Sequence, residues 1–222
     1  MIFILSYAQI KKDDSISAYI RRADESLLSL GYTEHSFAHV TRVAEGVRYI
    51  LSALSYSEHD VEIAMIAAYM HDIGNLVNRE DHSQSGAIMA FRILDKLGME
   101  ADDLATVVTA IGNHDEGTGV PVNPIAAALI LADKSDVRRS RVRNTDVATF
   151  DIHDRVNFSV TDARLDIDAE RKNITLNMEI DTRYSSVMEY FEIFLARMVL
   201  CRKAAEKLGL QFKLVINGQF LL

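Results

Sequence analysis

His71-Asp72 lies in the string Met70-His-Asp-Ile-Gly-Asn75, at the end of an apolar helix where the chain must turn. The chain presents further donors in order, His39, His82, His114 and Asp133, and imidazole nitrogen with carboxylate oxygen is the chemistry that holds iron, manganese, cobalt, nickel, zinc or magnesium. Adjacent residues in mid-helix point about 100° apart. At a helix end, which Gly74 supplies, His71 and Asp72 can converge. Asp133 follows the run Ala126-Ala-Ala-Leu-Ile-Leu-Ala132, where an unpaired carboxylate would carry a large desolvation penalty that a metal removes. The pattern predicts a divalent-metal site.

Composition bounds the alternatives. A chain of 222 residues, 49% hydrophobic and 25% charged, has enough apolar material for one sizeable core. A formal charge of −8 argues against a surface that coats nucleic-acid polymers or anionic membranes, but leaves room for a small anionic substrate. The single cysteine, Cys201, excludes an intramolecular disulfide and suits a reducing cytoplasm; its apolar helical setting makes it a buried thiol. The N-terminal run Met1 to Leu5 is too short to span a bilayer and lacks signal-peptide features. A cytoplasmic protein is expected, with a homodimer left open.

From Ser15 to about Thr145 the apolar residues fall at helical spacing, with Gly31, Gly74 and Gly98 as left-handed helix stops. Two starts are well marked. Ser57 with Asp60 opens the helix leading to His71, and Asn123-Pro124 opens the helix from Ile125 to about Val137 that carries Asp133. Beyond the arginines 138, 139, 141 and 143 the period changes: Val156, Phe158 and Val160 alternate with polar residues, as do Ile174, Leu176, Met178 and Ile180, with Leu165 and Ile167 extending the pattern. A long helix then runs from about Tyr184 to Leu208, stops at Gly209, and is followed by Phe212, Leu214, Ile216 and a tight Asn217-Gly218 turn. The expected fold is mainly α: a helical metal-binding domain over 1–145, then an α+β part over 146–222 with antiparallel strands packed on one long helix, with a core shared between the two parts left open.

The ordered fragments His39-Val-Thr-Arg, His71-Asp-Ile-Gly, His82, Ile111-Gly-Asn-His114 and Leu131-Ala-Asp-Lys134 resemble the HD superfamily of metal-dependent phosphohydrolases, over roughly residues 15–145. The resemblance implies a helical bundle in which His39, His71, Asp72 and Asp133 hold one ion, while His82 and His114 complete the two-metal form with Asp72 bridging. His35, read as one turn before His39 on the same face, is a substrate-contact candidate. One branch of the superfamily, the symmetrical diadenosine tetraphosphate hydrolases, has a string similar to Asp133, Lys134, Asp136 and Arg139, which implies that Lys134 and Arg139 act on the substrate. Helical spacing, however, sets Lys134 off the face of Asp133. Arg143 is expected in a solvated linker. The lysine that frequently follows His-Asp-Ile-Gly in this superfamily is Asn75 here. The implied activity is hydrolysis of a phosphate ester or anhydride in a nucleotide or related small metabolite. A di-iron oxygenase with the same ligand order and a non-catalytic nucleotide sensor are the alternatives.

Overall fold

The computed structural model describes residues 5–221; all but the last residue of the run 1–5 lie outside it. Two helices form its centre. α4 (Glu58–Met70) is buried at every position from Ile63 to Met70, and α7 (Pro124–Ser135) at every position from Ile125 to Ala132. Helices apolar all round belong in an interior, and here the others enclose them: α1 (Tyr7–Ile10), α2 (Asp14–Ser29), α3 (Phe37–Ala53), α5 (His82–Lys96) and α6 (Ala101–Gly112). Local chemistry fixes the starts. The Ser57 hydroxyl accepts from the backbone N–H of Asp60, and the Asn123 side chain accepts from that of Ala126 with Pro124 in the first turn. Gly31 and Gly98 take the left-handed conformation expected of helix stops, at φ +81° and +79°. Gly74 does not. It lies in a 3-10 turn, Ile73–Leu76, and its role is close packing.

The C-terminal part contains α8 (Ile152–Ser159), β1 (Val160–Ile167), β2 (Asn173–Ile180), α9 (Val187–Lys207), β3 (Gln211–Ile216) and β4 (Gln219–Phe220). Two sequence expectations are corrected here. Val156 and Phe158 belong to helix α8, not to a strand, because Asp151 caps it by accepting from Asp154 N–H; three alternating residues are too few to outweigh such a cap. The four-stranded sheet is mixed rather than antiparallel: β1 and β2 are antiparallel, β2 and β3 parallel, β3 and β4 antiparallel. The long helix α9 explains the parallel pair. It carries the chain back across the sheet, as a parallel connection requires and a hairpin cannot do. Asn217 and Gly218 both have positive φ and turn β3 into β4 as expected.

One continuous set of buried apolar residues runs from Leu5 to Ile216, and α9 packs on α7. Cys201 lies inside it, its thiol pushed up to about 12 by burial. Among the described residues no helix is long and apolar enough to cross a membrane.

α3 meets α7 at Gly46, where an added Cβ would stand 2.8 Å from Ala132 Cβ. Replacing a helical glycine by alanine ordinarily stabilises by roughly 0.5–1 kcal/mol; Gly46→Ala should instead destabilise by about 1–3 kcal/mol through overpacking. Thermal denaturation should show a lowered Tm, and the double variant Gly46→Ala/Ala132→Gly should lose less than the two single losses added together. Additive losses would mean that the helices do not touch at this point.

Candidate metal centre

Six elements deliver the donors to one place. α4 ends at His71, the 3-10 turn begins after Asp72, His39 lies in the first turn of α3, His82 starts α5, His114 follows α6, and Asp133 is in the last turn of α7. His39 and His71 are wholly inaccessible, and Asp72, His82 and His114 are buried.

Each imidazole is oriented by its Nδ1. In His71 it lies 2.7 Å from the Ala68 carbonyl, in His82 3.1 Å from that of Arg79, in His114 2.6 Å from that of Ile111, and in His39 2.8 Å from Asp136 Oδ2. All four partners are acceptors, so the network assigns the Nδ1 proton as donor in every ring. In a neutral ring this leaves the Nε2 lone pair facing inward. The Nε2 atoms form two close pairs, His39 with His71 at 3.3 Å and His82 with His114 at 3.2 Å. Asp72 lies between the pairs. Its Oδ2 is 3.5 Å from His39 Nε2 and 3.3 Å from His71 Nε2, while Oδ1 is 3.5 Å from His82 Nε2 and 3.9 Å from His114 Nε2. Asp133 Oδ1 joins the first pair, 3.3 Å from His39 Nε2.

These residues fit divalent metal. Two ring nitrogens 3.2–3.3 Å apart suit donors that each lie about 2.0–2.1 Å from a shared ion. Facing lone pairs and the buried Asp72 Oδ2, which has no hydrogen-bond partner among the described residues, need positive charge between them. The electrostatics agree. Burial opposes a charged His71, yet without a bound metal the negative field of Asp72 and Asp133 overcomes it and pushes the His71 pKa up to about 10, drawing in a proton where a metal cation would displace it. Burial likewise opposes a charged Asp133, but Lys134, His39 and His71 hold its carboxyl well below the usual range. Burial keeps the His114 imidazole neutral, well below its ordinary value.

The remaining sequence expectations divide. Lys134 is not set apart from Asp133: its Nζ folds back to 2.8 Å from Asp133 Oδ2 and 2.6 Å from Glu116 Oε2, leaving Oδ1 for the histidines. His35 reaches the site from the loop before Ser36, the cap of α3, not from one helical turn below His39; its Nδ1 contacts Thr33 O at 2.7 Å. Arg139 lies away from the centre. Its Nε donates to Phe158 O at 2.6 Å, and its guanidinium stacks 4.4 Å from the Phe158 ring centroid. Because α7 ends at Ser135, helical spacing from Asp133 does not reach residue 139. Arg143 is no solvated linker residue: it pairs with Asp24 of α2. His59 and His153 are exposed and contribute no donor to the cluster.

Sequence reasoning missed four groups. Asn75 Nδ2 donates to Asp72 Oδ1 at 3.0 Å, holding the carboxylate where a lysine was expected. Arg141, Glu116 and Arg197 line the cavity of about 470 Å³ that opens onto the centre, with His35, Asp72, His82, His114 and Asp133. The one available signal was Arg197 itself, a lone charge within the apolar stretch Leu195-Ala-Arg-Met-Val-Leu200.

The HD domain family model matches residues 36–151, more than half of the chain. The chain belongs to the HD domain family. HD domains bind divalent metals, which agrees with the buried donor cluster. A curated relative, an uncharacterised protein of Methanocaldococcus jannaschii, is 26% identical over 160 residues, 62% of this chain and 61% of its own length. The chain thus matches less than two thirds of that relative. A crystal structure of a predicted HD superfamily hydrolase from an uncultured Thermotogales bacterium is 26% identical, covering 56% of this chain and 67% of that one, with a TM-score of 0.45.

Gly74 sets the spacing between the two halves of the centre. A Cβ there would stand 1.9 Å from His82 O and 2.4 Å from Gly86 N, both backbone atoms. Gly74→Ala should therefore push α5, with His82, away from Asp72, lowering both Tm and the metal content measured by elemental analysis. Gly112→Ala, whose nearest neighbour would be Ala87 Cβ at an ordinary 3.6 Å, should retain both. A Gly74→Ala protein with full metal content would show that this contact does not position the donors.

Proposed function

We propose that the chain is a metal-dependent phosphohydrolase with a two-ion centre, cleaving a phosphate ester or anhydride in a nucleotide or related small phosphorylated metabolite. The division of Asp72 carries this reading: one carboxylate oxygen faces His39 and His71, the other faces His82 and His114. His39, His71, Asp133 and Asp72 Oδ2 would hold one ion. His82, His114 and Asp72 Oδ1 would hold the second.

Bound there, divalent ions supply Lewis acidity, acidifying water and polarising a phosphoryl oxygen. The chain's own residues do the positioning. Asp136 orients His39, while the carbonyls of Ala68, Arg79 and Ile111 orient the other three rings, and Asn75 holds Asp72; outer partners of this kind are commonly worth 10–100-fold in metal affinity. Lys134 holds Asp133 on the side away from the histidines. Its contact with Glu116 makes it a positioning residue as well as part of the cavity wall. The volume suits a small metabolite.

Elemental analysis of protein purified without chelator should give about two metals per chain, falling to about one in His82→Ala and His114→Ala. Unchanged stoichiometry in both would refute the second ion. Asp72→Ala should lose both metal and activity, having removed the residue common to the two half-sites. Phosphate release from a panel of phosphorylated metabolites should depend on added manganese, cobalt or iron and vanish with EDTA. Oxygen consumption by the iron-loaded protein without phosphate release would establish the oxygenase instead. Tight nucleotide binding without turnover in any metal form would establish the sensor.

A further inference from the structure

The cavity above the donors is not built from the HD-matched segment alone. Tyr32, Thr33 and His35 line it from before residue 36, and Asn157, Phe194 and Arg197 line it from beyond residue 151. Its cationic side chains are Arg79, Lys134, Arg141 and Arg197.

The four cations are not equally committed. Lys134 lies against two carboxylates, those of Asp133 and Glu116. Arg197 donates through Nε to Glu116 Oε1 at 2.8 Å, and its guanidinium stacks 4.3 Å from the Phe194 centroid; its two terminal nitrogens have no partner among the described residues. Arg141 is only 4% exposed. Its Nε donates to Glu34 O and its Nη1 to Asp136 O, each at 2.8 Å, which pins the side chain while Nη2 has no partner among the described residues. The nearest carboxylate to Arg141, that of Asp136, is 3.9 Å away and is already engaged closely by His39 and Arg138. A nearly buried guanidinium held rigidly, with one N–H corner unspent beside a cavity, lacks only an anion. Burial depresses the Arg141 pKa despite the help of Asp136 and Asp133, and Arg197 depresses it further. Two guanidinium groups that repel across a shared cavity are reconciled by an anion between them.

We propose that Arg141 and Arg197 form a two-armed grip for the phosphate of a phosphomonoester, so that α9, outside the HD-matched segment, contributes a substrate-binding residue. The proposal rests on the phosphohydrolase reading and narrows it. A monoester dianion offers three non-bridging oxygens, enough for metal contact and for a guanidinium on either side, whereas a diester has two and half the charge. Planar guanidinium groups match such an oxygen array better than ammonium does.

The probe is inorganic phosphate, titrated calorimetrically into the manganese-loaded full chain. Wild type should bind it, and phenyl phosphate should compete while a dialkyl phosphate should not. Arg141→Ala and Arg197→Ala should each weaken phosphate binding by about 10–100-fold, the scale of a lost charge-assisted hydrogen bond, at unchanged metal content. Arg141→Lys and Arg197→Lys should recover little, and Arg139→Ala should bind as wild type does. Since Arg141 also anchors backbone, a measurement on wild type runs in parallel: phosphate should protect Arg197, and not Arg139, from phenylglyoxal as mapped by mass spectrometry. Alanine variants that keep their metal and bind phosphate as wild type does would overturn the grip, as would absence of protection at Arg197. Equal competition by the dialkyl phosphate would overturn the monoester assignment. A wild-type chain that takes up no divalent metal would instead overturn the reading on which the grip rests.

Discussion

Four Nδ1–H groups that each point outward to a fixed acceptor are the constraint on which this structure turns. Once Ala68, Arg79, Ile111 and Asp136 have taken those protons, the four Nε2 atoms are left facing inward, where a neutral ring has only a lone pair to offer. Hydrogen bonding among the rings cannot satisfy them. Three of the acceptors are backbone carbonyls three residues before their histidine: Ala68 and Ile111 in the last turns of α4 and α6, where carbonyls lack intrahelical partners, and Arg79 in the loop that leads into α5. The orientation of the centre is therefore a by-product of where its helices stop.

Stopping helices at one point requires the central pair to be buried on all sides, and that is what the apolar stretches of α4 and α7 achieve. Close approach then requires small residues. Gly46 lets α3 lie against Ala132, one residue before Asp133, and Gly74 lets the turn after Asp72 lie against α5 at His82. In both places the glycine is spent on distance, so metal geometry and helix packing are one problem.

This division explains what could be read from the chain and what could not. His39, His71, Asp72, His82, His114 and Asp133 were legible because donor chemistry survives without coordinates, and because a carboxylate after seven apolar residues needs an explanation. Asn75 was visible only as a departure; its bond to Asp72 depends on the 3-10 turn that places it there. The arginines failed for a geometric reason. Arg139 was favoured by the resemblance of a sequence string, which carries no direction once α7 ends at Ser135; the 3-10 turn Arg139–Arg141 that follows sends Arg139 to Phe158 and Arg141 to the cavity. The strand pairing failed for a topological one: alternation in Ile174 to Ile180 and Phe212 to Ile216 marks a buried face but not a direction, and only the length of α9 between them implies a parallel return.

The C-terminal part has a physical reason to sit where it does. A donor cluster open to bulk water would be hydrated and screened, and its charges would be worth little to a bound anion. α8 and α9 wall the cavity with Asn157, Ile193 and Phe194, lowering the local dielectric on the side facing the metal donors. The same wall brings in Arg197, whose charge is held in place by Glu116, itself shared with Lys134 and so tied to Asp133. This chain of contacts runs from α9 through Glu116, in the loop after α6, and into the last turn of α7. A displacement of α9 would therefore disturb Lys134 and, through it, the oxygen of Asp133 left free for the histidines, which couples the segment beyond the family-matched residues to the donor set they contain.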